Sequence, residues 1–353
     1  MPVERQHGVA PERTGVLCAG CVLVDVNKRL DRFPPPEQVA IIEEETHDSG
    51  GPGFNLVVDL HKLGAPFPLE LVGVIGDDPH GKLVLDICRG AGIDVRAVRV
   101  ATGAVTSYTD VMIEPDGRRT FFHQKGANAL LAPEQFDFSA TRARVFHFGS
   151  PGLHDVMDRP RPGGNGVSEV LARAQAAGLR TNLELVSLPP ERLRALAAPC
   201  LPHLDYAIVN ELEAGALTRI DVDMPPGLDD RSDRRAAWSR AEAAARALLD
   251  LGVARLAVVH FPAGCVAVAK DGALYRQGSV RVPPADVRST NGAGDAFAAG
   301  VMLGLHEGWP VERCLRLGVC VAAVSLGAYS TSGAIRPAAE CLAYGERAGF
   351  RES

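Results

Sequence analysis

The chain has 353 residues, 46% of them apolar and 23% charged, with 43 acidic against 37 basic side chains and a formal net charge of -6. That balance belongs to a globular protein long enough for one large α/β domain with a small appendage. It excludes a binder of nucleic-acid backbone, because the basic residues are scattered and no basic stripe gathers them.

From the N-terminus, Met1 to Gly15 is polar and lacks the apolar core of a signal peptide. Val16 to Val24 has the length and β-branching of a buried strand, and Asp25 and Asn27 stand where it would emerge. Leu56 to Leu63 predicts a helix stopped by Gly64, and Leu69 to Ile75 predicts a strand. A helix over Gly81 to Gly90 follows. The segment Ala104 to Lys125 alternates (Thr106, Tyr108, Asp110, Met112, then Thr120, Phe122) around the turn Glu114-Pro115-Asp116-Gly117, a hairpin pattern. Then come strand Val145 to Phe148, helix Ser168 to Ala177, strand Leu179 to Leu185, helix Glu191 to Ala198 and strand Tyr206 to Val209. Helix Arg235 to Leu251 and strands Arg255 to His260 and Cys265 to Lys270 continue the alternation. The stretches Asp158 to Gly166 and Asp221 to Asp233 read as surface loops. The Arg-rich patch at Arg231, Arg234, Arg235 and Arg240 is interleaved with acids and reads as a solvated helix face.

Strands and helices alternating at this spacing predict an α/β fold with a largely parallel sheet flanked by helices. The segments Lys28 to His47 and Ala104 to Lys125 break the rhythm and are expected to form a small β-sheet lid on a single domain spanning 1–353. No apolar stretch approaches the roughly 20 residues of a membrane span, so the expected compartment is the cytoplasm. Cys18 and Cys21 form a lone C-x-x-C without a second ligand pair, and the eight cysteines read as reduced core thiols.

The string richest in chemistry is Ser289-Thr290-Asn291-Gly292-Ala293-Gly294-Asp295, running into the apolar helix Ala296 to Leu305. Small residues at Gly292, Ala293 and Gly294 let backbone N–H groups approach an anion, and the helix N-terminus adds its field. Asp295 in the first turn would be ionised beside that anion hole, which suits a general base for phosphoryl transfer to an alcohol. The same string also suits a plain helix cap. Gly50-Gly51-Pro52-Gly53-Phe54-Asn55 offers a backbone wall with an amide for hydroxyls, or simply a turn. Asn210 and Glu213, at i and i+3 after a strand, suit water-mediated Mg²⁺ or a helix cap equally well. Gly76-Asp77-Asp78-Pro79-His80-Gly81-Lys82 matches G-x-x-x-x-G-K, but Leu83 stands where a P-loop needs Ser or Thr, and two aspartates would repel phosphate.

In this order the elements resemble the PfkB, or ribokinase-like, carbohydrate kinase family over nearly the whole chain. The resemblance implies an ATP-dependent sugar kinase, Mg²⁺ as cofactor, and Asp295 as base beside an anion hole at Gly292-Ala293-Gly294. By the same resemblance Asp25, Asn27, Gly50, Gly51, Asn55 and Asn128 would hold substrate hydroxyls. Asn210, Gly264, Thr290, Asn291, Gly292 and Gly294 would meet the nucleotide, and Asn210 with Glu213 would serve the metal. The lid hairpin would include Arg118 and Arg119, read either as contacts for a phosphate on the substrate or as solvent-facing turn residues.

Two departures stand out. Ser289-Thr290-Asn291 replaces the Asp-Thr-Thr with which relatives hold a monovalent cation, which leaves a K⁺ requirement open. Val259-His260-Phe261-Pro262-Ala263-Gly264 replaces a Thr-Leu-Gly-x-x-Gly near the nucleotide. The segments Tyr108-Thr109-Asp110, Arg118 to His123 and His260-Phe261-Pro262 look like a less-characterised bacterial subgroup. Phe33, Tyr108, Phe121 and Phe122 keep a nucleoside kinase open as an alternative, and the departure at Phe261-Pro262 keeps a non-catalytic sugar-binding regulator open. A G-x-G-x-x-G opening a helix after the first strand is absent, which argues against a dinucleotide oxidoreductase. Apolar lid positions Val111, Ile113 and Phe121 suggest a homodimer formed through the lid.

Overall fold

Gly20 ends the first apolar run early. Its φ is +107°, a conformation that costs glycine little and other residues much, and a Cβ there would lie 2.1 Å from the Gly149 carbonyl oxygen. The expected strand Val16 to Val24 is therefore two strands in different sheets: β1 (Val16–Gly20) and β2 (Leu23–Leu30). Asp25 and Asn27 consequently stand inside β2 and not beyond the end of the first strand.

The computed structural model describes residues 13–222 and 231–353. The chain before Arg13, most of the loop 221–233 and the side chains of Arg231 and Arg234 lie outside the described residues. After β2 come β3 (Ile42–Gly50), α1 (Pro52–Lys62), β4 (Leu69–Gly76), α2 (Pro79–Gly90), β5 (Asp94–Ala101), β6 (Tyr108–Ile113), β7 (Arg119–Gln124) and β8 (Val145–Gly149). The stretch read as a loop at 158–166 holds a two-residue ladder, β9 (Pro160–Arg161) with β10 (Gly164–Asn165). It leads to α3 (Gly166–Ala176), β11 (Arg180–Glu184), α4 (Pro190–Ala197), β12 (Tyr206–Asn210) and α5 (Glu211–Thr218). Then follow α6 (Arg231–Asp250), β13 (Leu256–Phe261), β14 (Gly264–Ala269), β15 (Leu274–Gly278), α7 (Ala293–His306), α8 (Val311–Ser325) and α9 (Ala338–Ala348).

The large sheet has the order β15-β14-β13-β12-β11-β8-β1-β4-β5. From β13 to β5 every neighbour is parallel; β14 and β15 add an antiparallel edge. Its strands are apolar on both faces because helices cover both. Val16 and Cys18 pack on the side of α1, α7 and α8, and Leu17 and Ala19 on the side of α3 and α6. All eight cysteines are free and buried. Burial pushes the Cys18 thiol well above its usual value, which suits core packing rather than nucleophilic chemistry. Among the described residues no helix is long and apolar enough to cross a membrane.

The small sheet has the order β3-β2-β6-β7, so the two segments that broke the α/β rhythm pair with each other. Its register sets which side chains share a face. Asp25 stands opposite Asp48 and Thr109, and Thr109 opposite His123; Asn27 opposite Val111, and Val111 opposite Phe121; Arg29 opposite Ile113, and Ile113 opposite Arg119. This face turns toward the carboxyl ends of the parallel strands, where clefts form in open α/β sheets.

The P-loop look-alike is settled by its caps. Asp78 Oδ1 accepts from Gly81 N at 2.9 Å at the start of α2, and Asp78 Oδ2 accepts from Thr106 N at 2.8 Å. A carboxylate of the loop itself occupies the place of a phosphate, and Lys82 turns to Asp86 one helical turn on.

Candidate active site

The helix α7 starts at Gly292, which takes the left-handed conformation (φ +73°) as N-cap and uses no side-chain cap. The N–H groups of Gly294 and Asp295 lie in the first turn, where the helix offers no acceptor, while Ala293 N makes only a long bond to the Thr290 carbonyl, 3.4 Å. Asp295 is the third helical residue, and its Oδ2 accepts a 2.7 Å hydrogen bond from Asn55 Nδ2. Asn55 lies on α1, which begins at Pro52, earlier than the sequence suggested. Thr331 Oγ1 donates to the Ser49 carbonyl at 2.9 Å and closes this corner.

Around Asp295 opens a cleft of about 450 Å³ lined by Asp25, Gly51, Asn55, Asn210, Glu213 and Asn291, with Gly292 and Gly294 at its floor. A second, more apolar cavity of about 400 Å³ adjoins it, lined among others by Gly264, Thr290, Ala293, Phe297 and Leu326. Asn210, His260 and Gly294 line both. The turn from Thr290 to Gly294 therefore stands where the two cavities meet, with Asp295 on the wall of the first.

Three residues expected at the substrate do not line the cleft. Asn27 is buried in β2 and donates to Asp48 Oδ2 at 3.3 Å. Asn128 is buried and pins the link between the sheets, its Oδ1 accepting from Val22 N at 3.2 Å. Gly50 acts by the space it leaves, since a Cβ there would lie 2.6 Å from Asp25 Oδ1. Asn210 and Glu213 form a reciprocal cap on α5: Asn210 Oδ1 accepts from Glu213 N at 2.9 Å, and Glu213 Oε2 accepts from Asn210 N at 3.0 Å. The cap and the cleft wall are the same two residues.

The structure adds groups that were not singled out. Glu184 ends β11 in the cleft, and burial, with Asp295 next in effect, pushes its carboxyl well above the usual range. Behind it His147 is fully buried, with Nε2 3.3 Å from Glu184 Oε2 and Nδ1 2.9 Å from Asn182 Nδ2. Burial lowers His147 to about 3, so the ring is neutral. Ser150 lines the cleft in left-handed backbone (φ +64°), which is uncommon for a non-glycine residue and is found at functional sites. A carboxylate or hydroxyl closing a buried parallel strand was the signal available for Glu184 and Ser150. His260, the departure in the nucleotide segment, packs on Phe297 with ring centroids 4.8 Å apart and is held neutral by burial, at about 4. Phe261 turns into the core against Trp238.

The cleft gathers carboxyls. Burial, then Asp295 and Asp48, push Asp25 up to about 8 against a smaller pull from Arg119. Burial chiefly pushes Glu213 up to about 7. The folded chain thus holds the Asp25 proton more tightly than the unfolded chain does. The stability this confers is complete below about pH 4 and is lost as pH rises to about 8. Asp25→Asn removes that dependence, so its melting temperature should rise relative to wild type between about pH 5 and pH 9, with an upper bound of about 6 kcal/mol. Parallel melting curves across that range would show an ordinary Asp25.

Residues 13–338 match the family model described as pfkB family carbohydrate kinase. The chain belongs to that family. Among its relatives is an ATP-dependent ribose-1-phosphate kinase of Halopiger xanaduensis, 26% identical over 93% of this chain and 96% of the relative. Another is a 5-dehydro-2-deoxygluconokinase of Shouchella clausii, 24% identical over 97% and 98%. The carbohydrate kinase is also similar in fold to the ribokinase of Thermotoga maritima, with a TM-score of 0.73 at 20% identity covering 94% of this chain and 99% of that one. Arabidopsis thaliana ribokinase, solved with ribose and ATP, gives 0.70 at 21% identity over 94% and 98%.

Proposed function

We propose that this carbohydrate kinase transfers the γ-phosphoryl group of ATP to a hydroxyl of a small sugar, with Asp295 as general base. The observation that carries this is the position of Asp295 in the cleft, held by Asn55 and one residue from Gly294, which lines both cavities. The sugar takes the cleft under the small sheet, where Asp25, the Gly51 backbone and Asn55 meet its hydroxyls. The adenine takes the apolar cavity between Gly264 and Leu326, and the phosphates run toward the turn at Thr290 to Gly294. Asp295 accepts the proton of the acceptor hydroxyl as the oxygen attacks, and the first-turn N–H groups hold charge on the transferring phosphoryl. The small sheet acts as a lid whose closure keeps water from competing for the phosphoryl group.

The donor set fits a hydrated Mg²⁺. Asn210 and Glu213 reach the cleft, and among the described residues no cluster of three His, Cys, Asp or Glu would grip an ion directly; Mg²⁺ in such sites keeps much of its water. When bound, the ion supplies positive charge against the phosphates, and the same charge would favour ionised Glu213. The place of the carboxylate with which relatives hold a monovalent cation belongs here to Ser289, whose Oγ accepts from Asn291 N at 2.9 Å. Potassium carries no step in this reading. Eight buried reduced thiols match an ATP-rich cytoplasm.

A nucleoside acceptor is the second reading, carried by Phe121, which lines the cleft with half its surface exposed. Tyr108 is turned to the other face, against His80. Mg-ATP-dependent ADP release over pentoses, hexoses, sugar acids, sugar phosphates and nucleosides separates the readings: turnover with nucleosides alone would replace the sugar by a nucleoside. Silence with every acceptor, alongside sugar binding by calorimetry, would replace the enzyme by a sugar-binding regulator.

The kinase is further proposed to dimerise through its lid. Of the apolar lid positions read from the sequence as a dimer face, Val111 and Ile113 are buried inside the chain and cannot meet a partner, and only Phe121 is exposed. The exposed apolar residues that remain for an interface are Ile41, Ile42 and Phe122, and β3 and β7 are open edges of the small sheet, which unpaired would invite aggregation. Light scattering at micromolar concentration should give twice the chain mass, and Ile42→Glu should halve it. A wild-type monomer would remove this interface.

A further inference from the structure

The inference rests on the sugar-kinase reading and concerns one end of the acceptor. Arg119 opens β7 on the face of the small sheet that turns to the cleft, in register with Ile113 and beyond it Arg29. Its neighbour Arg118 points away and is fully engaged, donating from Nε to Asp116 at 2.7 Å and from Nη2 to Glu114 at 3.0 Å. Arg29 is paired with Glu43 and Glu44, and Arg32 with Asp31. Arg119 differs: its Nε and Nη2 are both buried and both without a hydrogen-bond partner. Those two nitrogens form one edge of the guanidinium, the edge that receives a carboxylate or phosphate through two parallel hydrogen bonds.

The groups that act on Arg119 are Asp25 and Tyr329. Asp25 is a weak counter-ion, because burial raises its carboxyl to about 8. Tyr329 and Asn27, with Arg29, Glu44, Thr46 and Asp48, line a side cavity of about 310 Å³ one step along this face from the cleft. Glu44 in that cavity is matched by Arg29, and Asp48 takes the Asn27 amide. A buried guanidinium edge without acceptors is costly until a ligand supplies them.

We propose that the Nε–Nη2 edge of Arg119 is the subsite for an anionic substituent on the sugar, so that the acceptor is a sugar phosphate or a sugar acid. The substituent binds on the Asp25 side of the cleft, and the acceptor hydroxyl at the other end reaches Asp295. The small sheet carries Arg119 over the substrate, so the charge pair forms as the lid settles. A neutral sugar leaves the edge unpaired and incurs that cost on every binding event.

The test compares D-ribose, D-ribose 1-phosphate, D-ribose 5-phosphate and a 2-keto aldonate, by calorimetry without nucleotide and by ADP release, in wild type and Arg119→Gln. Wild type should favour one anionic acceptor over ribose by about a hundredfold. Arg119→Gln should erase that preference while changing ribose affinity only a few-fold, and Arg119→Lys should restore part of it. The phosphate and the aldonate arms tell which anion the edge receives. Equal affinity for neutral and anionic sugars in wild type would overturn the proposal, as would a preference that survives in Arg119→Gln. Equal losses for both classes with a displaced pH profile would do the same and make Arg119 a partner of Asp25 instead. Calorimetry reads the subsite without turnover. Phosphorylation of ribose with no anionic preference therefore sinks the subsite and keeps the kinase, whereas Arg119-dependent anion binding with no turnover keeps the subsite and sinks the reaction.

Discussion

Asp295→Asn should lower sugar-dependent ADP release by about 10²- to 10⁴-fold, the range that general base catalysis contributes. Binding of sugar and nucleotide should stay within a few-fold, because the variant keeps the size of the side chain and the N–H groups of α7 that are proposed to meet the phosphates. The amide that replaces the carboxylate can still accept from Asn55 through its one oxygen, so the corner formed by α1 and α7 survives. A second readout separates loss of a base from damage to the fold. Asp295 is among the causes that raise Asp25, Glu184 and Glu213, so its neutral replacement should move their titrations to lower pH. The pH profile of sugar binding should shift in the acid direction while the melting temperature holds or rises. Near-normal turnover would remove Asp295 as the base and leave Glu184, the neighbouring cleft carboxyl, as the next group to test.

Much of this site is contiguous or nearly so in sequence, and that part was legible. Gly292 to Asp295 form one turn, and the cap of Asn210 and Glu213 needs only four residues. The helix-strand alternation announced a parallel sheet, and the alternating run at Thr106 to Phe122 announced the hairpin of the small sheet. What sequence reasoning missed depends on contacts across the chain. The break at Gly20 is imposed by Gly149, 129 positions on, whose carbonyl leaves no room for a Cβ. Glu184 reads as a polar residue in an apolar run until β11 is set beside β8 and its carboxyl meets His147 and Asp295. Arg118 and Arg119 are adjacent, and nothing local tells which faces solvent; the register of β7 on β6 decides it. Asn27 and Asn128 were placed at the substrate by resemblance, and in the structure they serve Asp48 and Val22.

The proposed anion hole can be tested through its backbone, without touching a charge. Gly292→Ala puts a Cβ on a residue held at φ +73°, which costs an L-residue on the order of 1–2 kcal/mol. That Cβ would stand 2.7 Å from Thr331 Cβ and 2.9 Å from Thr331 Cα. Thr331 cannot retreat freely, since its hydroxyl donates to the Ser49 carbonyl and it lines the cleft. Either the turn or the Thr331 loop must shift, and both position Asp295. A displacement of about 1 Å costs about 10²-fold in rate, so kcat should fall by that order and the melting temperature should fall with it. Gly294→Ala is the matched control for stability: its new Cβ would meet His260 at 3.6 Å, an ordinary contact, and its backbone lies in the helix. Its melting temperature should stay near wild type even where activity changes, because the methyl group enters both cavities. If Gly292→Ala melts and turns over like wild type, the turn is not held in the left-handed conformation, and the anion hole must be built from other N–H groups.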